Sequence, residues 1–121
     1  MPKYILLMVV DERGWENLKP EEMQPMIDEM ERYNQSVRDG GAWVSGEGYG
    51  FSWDAKTVRV QDGQRSVADG PAIDSSVQVG GHWVIQAGSL DEAIEWAKKV
   101  PMQNGSIEVR ELVPDDYGSD S

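Results

Sequence analysis

Apolar and polar positions follow two different periods along this chain. A continuous apolar run from Tyr4 to Val10 is too short for a membrane helix and lacks polar alternation, which predicts a strand buried on both faces. Alternating positions predict three more main strands, over residues 42–49, 79–87 and 107–113. Along the sequence, the two helical segments described next lie between the first and the last of these strands.

Two segments repeat their apolar residues at helical spacing. The first begins at Pro20, where a proline and two acids suit a helix N-terminus, and ends at Asp39 before a glycine pair. Pro25 removes a backbone donor about one turn in, so we expect a kink or a separate first turn. The second helix opens at Ser89, with Glu92 three residues later as a capping box.

A side hairpin is predicted between the second and third main strands. Residues 57–60 and 65–68 are strand-like and flank an Asp62-Gly63 pair, which is a strong hairpin signal. The turn Asp69-Gly70-Pro71 follows it. Each of its residues has turn chemistry, which favours an architectural role, but Asp69 could instead face a ligand and take part in catalysis.

The element order defines an α+β fold. The sequence β-α-β, inserted hairpin, β-α-β is that of a ferredoxin-like split βαβ unit, with a four-stranded antiparallel sheet and both helices on one face. The other face would be bare although the first strand is apolar on both sides. We therefore expect a homodimer with the two sheet faces opposed, which would form a dimeric α+β barrel.

Strand alternation also predicts which side chains share that bare face. On the third strand, Trp83 and Ile85 should pack under the helices, while His82 and Gln86 project to the opposite side. The last strand would add Glu108 and Arg110 to the same face, and the second strand could add Glu47 and Tyr49. The bare face would thus carry a cluster of polar side chains beside an apolar wall.

His82 is the only histidine of the chain and the candidate for moving a proton. Beside Glu108, Glu47 or Asp69 it could act as a general base or acid. The alternative is a structural hydrogen bond across the sheet or at the dimer seam. A metal site is not expected, since a single histidine with scattered carboxylates and no cysteine lacks any ligand spacing.

Several other residues are candidates for holding a substrate. Arg110 suits an anionic ligand because its guanidinium can bind a carboxylate through two hydrogen bonds, although a partly buried ion pair with Glu108 is the simpler interpretation. Gln86, Glu47 and Tyr49 would line the same pocket. Trp15 lies in a predicted loop, where an exposed aromatic residue is costly unless it packs against a ligand or a dimer partner.

Composition narrows the class of protein. The 121 residues include 22 acidic and 11 basic side chains, a net charge of −11, which argues against binding to nucleic acid or to an anionic membrane. The length fits one domain, assigned to residues 1–113, with an acidic flexible tail over 114–121. No cysteine, secretory signal or long apolar run is present, so we expect a cytoplasmic protein.

The ordered motifs resemble the bacterial YCII-related family, in particular its DGPF-domain branch. The resemblance rests on the first strand, Pro20-Glu21-Glu22, Gly46-Glu47-Gly48, Asp69-Gly70-Pro71, Gly80-Gly81 and Val109-Arg110. It implies a dimeric α+β barrel, a group that includes isomerases, lyases, polyketide cyclases and monooxygenases working without cofactor or metal. The chain departs from the branch at Ala72, where an aromatic residue is usual, and at His82, and its first helix lacks the histidine of the YCII branch.

Two functions follow as hypotheses. In the first, the protein is a cofactor-independent isomerase, lyase or cyclase acting on a small organic molecule, with His82 as the proton carrier. In the second, it is a non-catalytic small-molecule-binding or regulatory accessory protein. Because the fold hosts many activities, only the site can distinguish them.

Overall fold

A computed structural model describes residues 1–114 as an α+β fold. Its six strands are β1 Lys3–Asp11, β2 Trp43–Gly48, β3 Lys56–Gln61, β4 Gln64–Asp69, β5 Val77–Gln86 and β6 Ser106–Glu111. The helices are α1 Pro20–Asp39 and α2 Leu90–Lys98, and short 3-10 turns occupy Glu12–Trp15 and Ser52–Asp54. Apart from Pro114, the predicted acidic tail lies outside the described residues.

The main sheet has the predicted ferredoxin-like topology. Its strand order is β2-β5-β1-β6, and every neighbouring pair is antiparallel. The two central strands are β1 and β5, each of which is the first strand of one βαβ half. This confirms the fold class derived from the sequence.

The core lies between the sheet and the two helices. Leu6, Val37 and Ile85 are fully buried there, one from β1, one from α1 and one from β5. Tyr33 of α1 meets the edge of the Trp83 ring, with centroids 5.3 Å apart, and the Tyr33 hydroxyl donates to the carbonyl of Trp96 at 2.9 Å. These contacts fix α1 and α2 on the same face of the sheet, as predicted.

The helix boundaries also agree with the sequence signals. Ser89 accepts a hydrogen bond from the backbone N–H of Glu92 at 3.2 Å, while the Glu92 carboxylate accepts from Gly88 at 2.7 Å. The separate first turn that Pro25 could have caused is not formed, since α1 is one continuous helix through that residue. Among residues 1–114, neither helix combines the length and the apolar character that crossing a membrane requires.

The inserted hairpin forms a separate two-stranded sheet from β3 and β4. Asp62 and Gly63 both have positive φ, of 51° and 78°, the conformation that a two-residue hairpin turn of this kind needs. Val58 and Val67 face each other across the hairpin and are 59% and 70% exposed. The hairpin thus presents apolar surface that the rest of the described chain does not cover.

Strict alternation over residues 42–49 predicts Trp43, Ser45, Glu47 and Tyr49 on one face of the sheet, and this is wrong at Trp43. A bulge at Val44 places one extra residue between Trp43, which pairs with Ile85, and Ser45, which pairs with Val84. Trp43 therefore lies on the helix side, where it packs on the core and under the guanidinium of Arg38, 4.1 Å from the ring centroid. The bulge leaves Ser45 and Glu47 on the opposite, open face of the sheet.

Candidate functional site

A row of four residues crosses the open face of the main sheet. Register pairs Glu47 with His82, His82 with Leu7, and Leu7 with Glu108, so that β2, β5, β1 and β6 each contribute one side chain. The neighbouring row along the strands contains Ser45, Val84, Ile5 and Arg110. The alternation predicted for β5 and β6 is confirmed, because Trp83 and Ile85 are buried while His82 is half-exposed.

Tyr49 and His82 form a close polar contact on this face. The Tyr49 hydroxyl oxygen lies 2.6 Å from Nδ1 of His82, and the two rings are tilted by 57°. Tyr49 directly follows β2, and its backbone N–H donates to the carbonyl of Gly80 at 3.0 Å. The phenol therefore fixes one side of the imidazole and leaves Nε2 for another partner.

The segment that carries Tyr49 is anchored by a residue that sequence reasoning missed. Glu12 is 6% exposed, and its carboxylate accepts the backbone N–H of Ser52 at 2.9 Å and also the Ser52 hydroxyl. Ser52 is three residues beyond Tyr49. Glu12 thus ties the end of β1 to the chain leaving β2, although a glutamate in a predicted loop gives no sequence signal for such a role.

Glu108 and Arg110 lie farther from His82 than the sequence suggested. Leu7 separates His82 from Glu108, which places their backbones two strand spacings, or about 10 Å, apart. Nε of Arg110 donates to Glu108 at 2.6 Å, and the two side chains are 70% and 49% exposed in the single chain. The ion pair expected between these residues is formed, but in the single chain it is more exposed than expected. Glu47 is the carboxylate paired directly with His82.

The remaining candidates are placed outside the Tyr49–His82 contact. Gln86 shares the face of His82, but its amide donates to the carbonyl of Gly41 at 2.9 Å, at the edge of the sheet. Asp69 ends β4 of the hairpin, pairs with Lys56 at 2.6 Å and has an 87% exposed side chain. Trp15 is half-buried in the 3-10 turn after β1. The structure brings none of these three into hydrogen-bonding contact with His82.

The arrangement suits proton transfer better than metal binding. Within residues 1–114, no three histidine, aspartate or glutamate side chains come close enough to share a metal ion. A general acid or base needs an imidazole held in one orientation with an accessible nitrogen, and a second group that bonds the other nitrogen. Tyr49 and His82 supply both features on an accessible surface.

Comparison with known proteins agrees with the fold. The chain matches the family model of the YCII-related domain over residues 3–115, and the protein therefore belongs to that family. It is also 39% identical over 61 residues to an uncharacterised protein of Rhizobium meliloti (strain 1021). That match covers 48% of this chain and 49% of the relative, so the chain spans about half the length of the curated protein that it matches.

Proposed function

We propose that the protein is a cofactor-independent enzyme that moves a proton within a small organic molecule, as an isomerase, lyase or cyclase does. The observation that carries the proposal is the 2.6 Å contact between Tyr49 and Nδ1 of His82 on an open sheet face. Membership in the YCII-related family is compatible with this chemistry but does not specify it. The assignment to the DGPF branch is likewise a proposal.

In the proposed resting state, the Tyr49 hydroxyl donates to Nδ1 of neutral His82, because a phenol is the stronger donor and imidazole nitrogen the stronger acceptor. This places the imidazole hydrogen on Nε2. Before Nε2 can act as a base, water takes the hydrogen from Nε2 and a proton is supplied to Nδ1, whose N–H then donates to the Tyr49 oxygen, which also accepts hydrogen bonds. The pair thus supports both tautomers of the imidazole.

The proposed step is abstraction of a proton from a carbon next to a carbonyl. Nε2 of His82 takes the proton, the electron pair of the C–H bond forms a carbon–carbon double bond, and the π pair of the carbonyl moves onto its oxygen, giving an enolate. Return of the same proton to another carbon isomerises the substrate, whereas loss of a leaving group completes an elimination. Atoms and electrons balance without an external oxidant or reductant.

Arg110 suggests that the proposed substrate carries a negative charge at one end. Its backbone lies two strands from His82 and one row along the sheet, about 12 Å away by strand geometry. Its Nε is engaged by Glu108, but a guanidinium has further donors that can hold a carboxylate. A small organic acid with its carboxylate at Arg110 and its reactive carbon at Nε2 would fit this spacing.

The proposed site also needs a second copy of the chain. Ile5, Leu7 and Val84 are only half-buried on the open face, and the hairpin exposes two further apolar side chains, Val58 and Val67. A protomer that covered this surface would exclude water from the Tyr49–His82 pair and strengthen its electrostatics. The homodimer through opposed sheet faces, and with it the α+β barrel, is part of this proposal.

The test is hydrogen exchange on a panel of enolisable keto acids and unsaturated lactones in D₂O, followed by proton NMR. Wild type should exchange at least one compound at an activated carbon, and His82→Gln should lower that rate by about 10²–10⁴-fold, the usual contribution of a general acid or base. Gln86→Ala, on the same face but bonded elsewhere, is the matched control. Equal exchange in His82→Gln would remove His82 from the mechanism.

The same panel distinguishes the non-catalytic alternative. A compound that raises the melting temperature in proportion to its concentration, while remaining chemically unchanged and unexchanged, would indicate a binding or regulatory protein. That result would overturn the proposed enzymatic activity while retaining the pocket.

A further inference from the structure

A cavity of about 180 Å³ lies behind the proposed site, on the helix side of the sheet. Met30 and Asn34 of α1 form its roof, and Met8 and Trp83 form its walls. Register places Met8 and Gly48 beside Gly81, on the face opposite the His82 ring. Glu47 and His82, the next residues along β2 and β5, also border it.

The space arises where two strands lack side chains. A Cβ on Gly81 would meet the carbonyl oxygen of Glu47 at 2.8 Å, so close strand approach requires glycine there. A Cβ on Gly48 would meet nothing within 4 Å. Gly48 is thus not needed for strand packing, and its missing side chain leaves room beneath α1.

The volume corresponds to one aromatic ring. An apolar cavity of about 150 Å³ is large enough to bind benzene in a well-studied protein core. Met8 and Met30 are flexible and polarisable, and thioether sulfur makes favourable contacts with aromatic rings. Trp83 adds an indole surface. The lining contains no lysine or arginine, so the cavity offers nothing to an anion.

The Asn34 amide on α1 would orient a ligand in the cavity. Nε1 of Trp83 donates to Oδ1 of Asn34 at 2.8 Å, which fixes the orientation of the Asn34 amide. Within the part of the chain that the structure describes, no acceptor takes the hydrogens of the Asn34 amide nitrogen. That nitrogen can therefore donate to a carbonyl oxygen placed beneath α1.

We infer that this cavity is a second binding site, distinct from the His82 surface, for a neutral single-ring aromatic molecule bearing a carbonyl acceptor. The ring lies between the two methionines and Trp83, and the carbonyl accepts from Asn34. This site does not depend on the proposed enzymatic activity, because its ligand class is neutral and the side chains proposed to hold the ligand, those of Met8, Met30, Asn34 and Trp83, lie on the helix side of the sheet.

The experiment uses the full chain and two probes of similar shape, acetophenone with a carbonyl and ethylbenzene without one. Binding is followed by the indole N–H resonance of Trp83 in ¹H–¹⁵N spectra and by the melting temperature. Acetophenone should shift the Trp83 resonance in a saturable manner and bind at least 3-fold more tightly than ethylbenzene. No saturable shift up to the solubility limit would overturn the site, and equal binding of both probes would overturn the role of Asn34.

Variants locate the site. Gly48→Leu should fill the cavity and weaken acetophenone binding at least 10-fold, whereas Gly50→Leu, at a glycine that also has nothing within 4 Å but lies outside the lining, should bind as wild type does. Met30→Trp fills the same space from the roof and serves if Gly48→Leu does not fold. Wild-type affinity in a folded filling variant would contradict the inference.

Discussion

The Tyr49 hydroxyl lies 2.6 Å from Nδ1 of His82, and this contact joins the end of β2 to the middle of β5. It exists because Glu47 pairs with His82 in register, so the chain leaving β2 passes over the imidazole. It also depends on Glu12, which holds the same segment at Ser52. The predictions below begin with this contact and extend to the parts of the fold that support it.

Replacing Tyr49 by Phe should change the nitrogen resonances of His82. In the proposed resting state the phenol donates to Nδ1, so its loss should move the Nδ1 resonance toward that of an unbonded imidazole nitrogen. Because His82 is the only histidine, its ring signals in long-range ¹H–¹⁵N spectra need no further assignment. Gln86→Ala should leave them unchanged, and unchanged signals in Tyr49→Phe would show that the contact is absent in solution.

Replacing Glu12 by Ala should destabilise the protein by about 1–3 kcal/mol, because the partly buried N–H and hydroxyl of Ser52 would lose their acceptor. It should also move the His82 signals in the same direction as Tyr49→Phe, since the anchored segment carries Tyr49. Urea unfolding and the histidine spectra provide the two measurements. Glu16→Ala, at an exposed position of the same loop, is the control. Loss of stability without a change at His82 would restrict Glu12 to a structural role.

The free energy of unfolding should fall as the pH rises between about 10 and 12. Burial raises the pKa of Tyr33 to about 12, from a usual value near 10. The unfolded chain therefore loses this proton first, so the contribution is fully present below pH 10 and is lost by pH 12. The Tyr33→Phe variant should show a shallower decline over this window in urea unfolding. Parallel declines would contradict the assignment to Tyr33.

Replacing Leu7 by Lys should convert the proposed dimer into monomers. Leu7 lies at the centre of the open face, between His82 and Glu108, where a charge without a partner would have to be buried in the dimer. Sedimentation velocity should give the mass of two chains for wild type and of one for the variant. Ile27→Lys, on an exposed position of α1, should remain dimeric. A monomeric wild type would contradict the proposed homodimer.

The sequence was informative where periodicity was unbroken. Alternation along β5 correctly assigned Trp83 to the core and His82 to the open face, because no bulge interrupts those residues. It failed at Trp43, since the bulge at Val44 shifts the phase by one residue and carries no composition signal here. Helix caps and the Asp62-Gly63 turn were predictable because local hydrogen bonding and backbone conformation decide them.

The composition of the site was only partly predictable, for reasons of register and long-range contact. The sequence placed Glu108 and Glu47 on the same face as His82, but only strand order shows that Glu47 is its neighbour and that Leu7 intervenes before Glu108. The burial of Glu12 depends on Ser52, 40 residues away. No local pattern encodes such a contact.

A crystal structure of the protein in its solution assembly tests the central claim most directly, namely that the open sheet face around His82 is a catalytic pocket completed by a second copy. The account predicts two chains with opposed sheets and an enclosed cavity lined by His82, Tyr49 and Glu47, with Arg110 facing the same space. His82 pointing into bulk solvent, or into a filled core between the sheets, would contradict it.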